Sequence, residues 1–247
     1  MRGALLCALL LAAGIGTVVT VPAPAAGRLG AAAAQPPAPV VRQMVVFRSG
    51  QGVTARVSSR GLRARVGRKR CAVASGTALA ALLRRPPARV RLVDFGSCSR
   101  RPRDSGQLFV RGIGPDLNRG QDGWVYKVGR RAATAGAADT AGAFGRGRLR
   151  AGKRVTWYFC HLVRGGCERT LELEPAPQPG GVAITVRGYD DEARGVRVAG
   201  ATVRLGSAEQ VTDATGVARF AVDPETYRAF AGKPGMVRSF TERVVVR

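Results

Sequence analysis

Gly123-Trp124-Val125-Tyr126-Lys127-Val128 and, some thirty residues later, Val155-Thr156-Trp157-Tyr158-Phe159-Cys160 hold both tryptophans and two of the four tyrosines of a 247-residue chain that is only 6% aromatic. In each stretch bulky apolar side chains alternate: Trp124, Tyr126 and Val128 share one face, as do Val155, Trp157 and Phe159. A period of two predicts half-buried β-strands. Aromatic residues gathered this way in an aromatic-poor chain belong to a core, a binding surface or both. Trp124 and Trp157 read first as sheet core. The functional reading makes Trp124, Tyr126, Trp157 and Tyr158 an aromatic platform for a sugar or a small planar ligand, with Arg130, Arg131 and Arg154 near in sequence to pair with anions. Tyr126 and Tyr158 are the better candidates for partial exposure, because a phenol tolerates one wet end.

Upstream of these strands, residues 44–47 and 61–66 are further strand candidates, as are Val90 to Phe95 and Leu108 to Ile113. Between them Ser75-Gly76-Thr77-Ala78-Leu79-Ala80-Ala81-Leu82-Leu83-Arg84-Arg85 is the one clear helix. Ser75 or Thr77 can cap it, Leu79, Leu82 and Leu83 share a face, arginines occupy the last turn, and Pro86-Pro87 stops it. Two strands, a helix and then several strands is the order of a β-grasp-like sheet embracing one helix. The expected fold class is therefore mainly β, with an α+β first domain of this kind and a small β-sandwich after it.

The chain opens like a secretory signal over residues 1–26. Arg2 precedes an uncharged apolar run from Leu5 to Val21, followed by small residues. That run is short for a membrane span, so no integral span is expected once the signal is removed. Residues 27–40 read as a linker. Export to the cell surface, envelope or medium places Cys71, Cys98, Cys160 and Cys167 in an oxidising setting; Cys7 lies in the signal. Four cysteines allow three pairings. The favoured one joins Cys71 to Cys98 and Cys160 to Cys167, the latter across the mouth of a hairpin that turns at Arg164-Gly165-Gly166 and returns through Thr170-Leu171-Glu172-Leu173-Glu174. Metal-ligand spacing is absent and there is one histidine, so neither a metal nor another cofactor is expected.

The formal charge is +24, distributed unevenly. Residues 41–174 carry 28 Lys and Arg against 8 Asp and Glu, a net +20, while residues 182–247 carry 10 against 8. A domain this basic suits polyanions such as nucleic acid or an anionic wall polymer. Only four of the 40 basic residues are lysine, a pattern that GC-rich coding also produces. Residues 175–181 (Pro-Ala-Pro-Gln-Pro-Gly-Gly) read as a linker between the basic domain, 41–174, and a C-terminal domain, 182–247.

Four blocks of the basic domain together resemble the transcobalamin-like C-terminal domain family over residues 43–174. They are Thr77-Ala78-Leu79-Ala80-Ala81-Leu82-Leu83, Asp122-Gly123-Trp124-Val125-Tyr126-Lys127-Val128-Gly129, Ala135-Gly136-Ala137-Ala138-Asp139, and Leu149 to Tyr158. The resemblance implies a β-grasp-like ligand module of an exported protein. Its Asn-Gly hairpin turn is Gly129-Arg130 here, and its Gly-Asp before the last strand is Gly152-Lys153. In the vitamin carriers of the family this domain covers one face of cobalamin, opposite an α-helical domain. The present sequence holds no such helical partner, so corrinoid binding by this chain alone is not expected. Downstream, Val198-Ala199-Gly200-Ala201-Thr202-Val203, Thr212 to Phe220 and Tyr227 to Gly235 resemble the carboxypeptidase-regulatory-like, transthyretin-like β-sandwich family over residues 182–247. That resemblance implies a spacer, adhesion or carbohydrate-contacting unit.

Catalytic machinery is not evident. His161 lacks a recognisable nucleophile and orienting acid, and a histidine at a loop start reads as solvated. Asp190-Asp191-Glu192 lacks the spaced ligands of a calcium loop and reads as a solvated turn. Asp116, Asp122 and Asp139 lie among arginines and read as surface ion pairs. The expected function is extracellular binding without catalysis, the partner being a glycan, a small planar ligand or a surface protein; the alternative is charge-driven attachment to a polyanion.

Overall fold

A computed structural model describes residues 37–162 and 166–247. The signal segment, Cys7, residues 27–36 of the leader and the Arg164-Gly165 turn lie outside the described residues. The alternating aromatic stretches are strands, as their period requires, and they sit at the centre of the first lobe.

That lobe runs β1 (Val40–Val46), β2 (Gly52–Ser58), β3 (Leu62–Val66), β4 (Lys69–Val73), α1 (Ala78–Arg84), β5 (Val90–Asp94), β6 (Leu108–Ile113), β7 (Asp116–Leu117), β8 (Gly123–Val128), β9 (Arg131–Ala132) and β10 (Arg154–Cys160). Its main sheet has the order β2-β1-β10-β8-β9. β1 and β2 form an antiparallel hairpin, β1 lies parallel to β10, and β10 is antiparallel to β8, with Trp157 opposite Tyr126. The helix falls between the first hairpin and the returning strands, which is the grasp-like order. Thr77 caps the helix, its Oγ1 accepting from Ala80 N at 3.1 Å. The helix buries Ala78 to Leu82 against Val45, Val155 and Trp157. The β3–β4 hairpin and the small β5-β6-β7 sheet close the remaining sides.

The second lobe runs β11 (Thr170–Gln178), β12 (Gly181–Tyr189), β13 (Gly195–Arg197), β14 (Thr202–Leu205), β15 (Ala208–Val211), β16 (Val217–Ala221), β17 (Thr226–Gly232) and β18 (Glu242–Val245). β12 pairs with β11 on one edge and with β13 and then β16 along the other, while β15-β14-β17-β18 form the facing sheet. Alternating residues such as Val182, Ile184 and Val186 meet Val203, Leu205 and Ala231 between the sheets, the packing of a β-sandwich. The Asp213-Ala214-Thr215-Gly216 turn is held by Asp213 Oδ1, which accepts from Thr215 N and Val217 N, and Gly216 supplies φ +76°.

Three expectations are corrected. Residues 175–181 are not a linker: they are the end of β11, a two-residue turn and the start of β12, paired from Pro175 opposite Ile184 to Gln178 opposite Gly181. Pro175 and Pro177 lie two apart on an edge strand, in the alternation whose N–H groups point away from β12, as Leu171 N does in donating to Val237 O, so the missing N–H groups cost no ladder bond. Cys160 and Cys167 are bridged, but not across a hairpin, because β10 and β11 belong to different sheets. β10 is not half-buried but buried on both faces: Val155, Trp157 and Phe159 face the helix-side core, while Tyr158 and Cys160, with Met44 and Val46, pack on Val237 and Phe240 of the second lobe. Residues 37–247 thus form one compact unit.

The second bridge joins Cys71 of β4 to Cys98. Chain-entropy arithmetic on sequence separations of 27 and 7 assigns about 3.5 kcal/mol to Cys71–Cys98 and about 2.4 kcal/mol to Cys160–Cys167. Replacing Cys71 and Cys98 by alanine should therefore lower the guanidinium midpoint more than replacing Cys160 and Cys167. The opposite order would show that the short bridge acts chiefly through the lobe contact beside it.

Candidate functional site

The residues expected to form one site fall into two. Arg130, Arg131 and Arg154 line an open groove of about 730 Å³, whereas Trp124, Tyr126, Trp157 and Tyr158 line a cavity of about 240 Å³. The segment from Arg131 to Gly136 separates them: Arg131 and Thr134 face the groove, and Ala132, Ala133, Ala135 and Gly136 face the cavity.

The groove is built on the β8–β9 hairpin. Val128 pairs with Arg131, leaving Gly129-Arg130 as a two-residue turn with Gly129 at φ +64°. The Arg130 side chain crosses to the second lobe. Its Nε donates to Glu172 Oε2 at 2.8 Å and its guanidinium lies 4.2 Å from the Tyr189 ring centroid. Desolvation works against the Arg130 charge, but the hydrogen bond and the charge of Glu172 outweigh it and raise the group above the ordinary arginine value. Arg154 lies 2.9 Å from Glu242 Oε1, a charge contact without hydrogen-bond geometry, and 4.0 Å from Glu172. Arg42, its neighbour in register on β1, donates to the other oxygen of Glu242 at 2.9 Å. Arg42, Arg130 and Arg154 therefore bind the lobes together.

Two groove arginines remain for a ligand. Arg131 is exposed, lies 5.8 Å from the Phe144 ring and has no carboxylate within 4 Å among the described residues. Arg146, on the Gly-rich loop before β10, is also exposed and likewise has none. Glu172 is the one carboxylate lining the groove, and Arg130 already occupies it. Arg146 and Phe144 were not anticipated from the sequence. Their only signal was an arginine-rich tail, Arg146 to Arg150, on a loop rich in glycine and alanine.

The aromatics form no open platform. Trp124 is 4% exposed, Trp157 1%, and Tyr126 and Tyr158, expected to be half wet, are 8% and 1% exposed. Burial follows from position: β6 and the Ala132–Ala137 segment cover Trp124 and Tyr126, and the second lobe covers Tyr158. The phenols are satisfied internally, Tyr126 donating to Ala135 O at 2.9 Å and Tyr158 to Asp191 Oδ1 at 3.3 Å.

No protein-family model, curated protein or solved structure matches the chain.

The Asp190-Asp191-Glu192 turn is not merely solvated. Lys127, with no exposed surface, donates from Nζ to Tyr189 O at 3.0 Å and Asp190 O at 2.9 Å and lies 3.4 Å from Asp191 Oδ1. Asp191 also accepts from Cys167 N, so one acidic residue ties the turn to the disulfide loop and to β8. Asp116, Asp122 and Asp139 form no ion pairs among the described residues. They accept backbone N–H groups of Arg48, Leu162 and Ala141 instead. Backbone donors left outside the strand ladders need partners more than solvated guanidinium groups do.

His161 lies in a separate cleft of about 530 Å³ between the lobes. It is paired rather than solvated: Nδ1 is 2.7 Å from Glu168 Oε1, and its backbone N–H reaches both Glu168 oxygens at 3.2 Å. The orienting acid missing from the sequence reading is thus present. Among the described residues no hydroxyl or thiol hydrogen-bonds the ring. Among the described residues no group of three or more metal-ligating side chains occurs, and no helix is long and apolar enough to cross a membrane.

Proposed function

We propose that this chain is an exported, non-catalytic binding protein whose arginine groove holds an anionic extracellular ligand, such as an acidic glycan or wall polymer. The observation that supports this most is the pair of exposed arginines, Arg131 and Arg146, that line with Phe144 a groove whose single carboxylate is already paired. Guanidinium forks suit carboxylate and phosphate groups, and a Phe face beside them suits the apolar side of a sugar ring. The groove is open to solvent rather than enclosed, which fits a segment of polymer laid in it better than an enclosed small molecule. The net +20 of residues 41–174 would steer such a ligand toward it. The resemblance of the first lobe to a ligand module and of the second to a surface sandwich agrees with this role. The second lobe also supplies Glu172, Leu173 and Ala193 to the groove wall.

Binding of the full chain to a polyuronate oligosaccharide and to poly(glycerol phosphate) should weaken steeply with salt. Reversing Arg131 and Arg146 to glutamate should lower the slope of log K against log salt by about 2. The same charge change at Arg68 and Arg70, exposed on the β3–β4 hairpin and not lining the groove, is the control. Equal losses from both pairs would mean diffuse charge rather than the groove. Salt-insensitive binding of a neutral sugar would instead favour stacking.

A further inference from the structure

The 530 Å³ cleft between the lobes gathers cations that the fold leaves unpaired. Its walls come from the β1–β2 turn, the end of β10 and the segment from Phe230 to Arg238. Glu168 is the one carboxylate lining it, and His161 already holds that group at 2.7 Å. Arg204 is paired with Glu209. Arg48, Arg238 and Lys233 also line the cleft, and none of them has a carboxylate within 4 Å among the described residues.

Aromatic rings hold the two arginines and leave donors over. Arg48, exposed on the β1–β2 turn, lies 5.2 Å from the Phe159 ring centroid, and its guanidinium makes no hydrogen bond among the described residues. Arg238 is half-buried, its stem packed on Gly52 at the foot of that turn and its guanidinium 4.0 Å from the Phe230 ring centroid. Arg238 Nε and Nη2 reach Ser239 O and Thr241 Oγ1 only at 3.5 Å, while Nη1 has no partner among the described residues and is not buried. Burial pushes this guanidinium below the ordinary arginine value, with no carboxylate acting in the opposite direction. A partly desolvated charge without a counterion opposes folding. In this position it borders a cleft that a ligand can enter. Guanidinium groups stacked on rings keep their N–H edges for an oxyanion. Phe47, Pro234 and Met236 add apolar wall, and a cleft of this volume takes one small organic molecule.

We propose that the inter-lobe cleft is a second ligand site, separate from the arginine groove, for the phosphate monoester of a small apolar alcohol. The doubly charged phosphate accepts from Arg48 and from Arg238 Nη1, and the apolar body lies against Phe47 and Met236. Three unpaired cations favour a dianion over a single carboxylate. Arg48 belongs to the first lobe and Arg238 to the second, so the bound phosphate joins the lobes.

Calorimetry on the full chain at neutral pH tests this with phenyl phosphate as the probe. It should bind saturably at one site. It should bind about 10-fold tighter than inorganic phosphate, which lacks the apolar body, and than benzoate, which lacks the second charge. Arg238→Met, which retains the packed stem, and Arg48→Gln should each weaken phenyl phosphate about 10-fold or more, the worth of a charge-assisted hydrogen bond. Arg48→Gln changes an exposed turn and stands as the test if Arg238→Met fails to fold. Reversing Arg131 and Arg146 to glutamate should leave phenyl phosphate within about 2-fold, since separate sites do not couple. Neither cleft variant should change the salt slope for polyuronate. Equal losses from the groove pair, phenyl phosphate no tighter than inorganic phosphate or benzoate, binding unmoved by either cleft substitution, or no saturable binding at millimolar concentration would each overturn the site.

Discussion

Lys127→Ala is expected to destabilise the fold by about 3–5 kcal/mol, the scale for removing one partner from a buried ionic contact. The lysine sits on β8 with no exposed surface, and the hydrogen-bonding and ionic partners of its Nζ belong to the second lobe: two backbone carbonyls and the Asp191 carboxylate. Truncation strands those carbonyls, leaves Asp191 without its cation and opens a cavity. Lys127→Met retains most of the volume but not the donors, so it should recover the cavity part of the loss and no more. Because the contact joins the lobes, urea unfolding of Lys127→Ala should also become broader or biphasic where the native chain shows one transition. A loss below about 1 kcal/mol with an unchanged single transition would mean that apolar packing of Tyr158 on Val237 and Phe240 suffices to hold the lobes.

The same residue has a pH signature. Burial pushes the Lys127 ammonium below the ordinary lysine value, with Asp191 acting in the opposite direction. Between the lowered value and about 10.4 the unfolded chain therefore binds the extra proton, so this group makes stability rise with pH across that window. Lys127→Met should remove the rise.

How far the sequence foretold this arrangement can be judged from Lys127 itself. Alternation placed Trp124, Tyr126 and Val128 on one face of a strand, and the structure agrees. Alternation also implied that the opposite face, carrying Val125 and Lys127, was wet, since a lysine in a period-two pattern usually marks solvent. What hides it is the second lobe, and no local pattern reports a surface more than sixty residues away. The helix, its Thr77 cap and the Asp213 turn were legible because their determinants are local. The β1–β10 parallel pairing was not, nor was the edge-strand role of the proline-rich stretch, because both depend on long-range docking. The candidate site split for a related reason. Trp124 to Arg131 are contiguous in sequence, but a strand followed by a tight turn sends its aromatics inward and its arginines over the rim.

Alkaline titration should unfold the protein steeply above pH 10. Burial raises the Tyr126 phenol well above the ordinary tyrosine range, with Asp139 adding to the shift, and burial raises Tyr158 further, reinforced by Asp191 and Glu168. A phenol whose folded value is raised keeps its proton in the native state while the unfolded chain loses it. Stability is thus intact below about pH 10 and falls by about 1.4 kcal/mol per pH unit for each such tyrosine above it. Two tyrosines give about 2.7 kcal/mol per unit, so two pH units remove about 5 kcal/mol, comparable with the whole stability of many domains. The Lys127 contribution has stopped growing by then and cannot offset the loss. Absorbance at 295 nm followed together with far-UV circular dichroism reads the outcome directly. Tyrosinate from Tyr126 and Tyr158 should appear only as the β signal collapses, in one cooperative step, and Tyr158→Phe should reduce the slope of stability against pH by about half. All four tyrosines ionising smoothly near pH 10 with the β signal intact would show that solvent reaches the two phenols, and that the packed interface between β10 and the second lobe is open in solution.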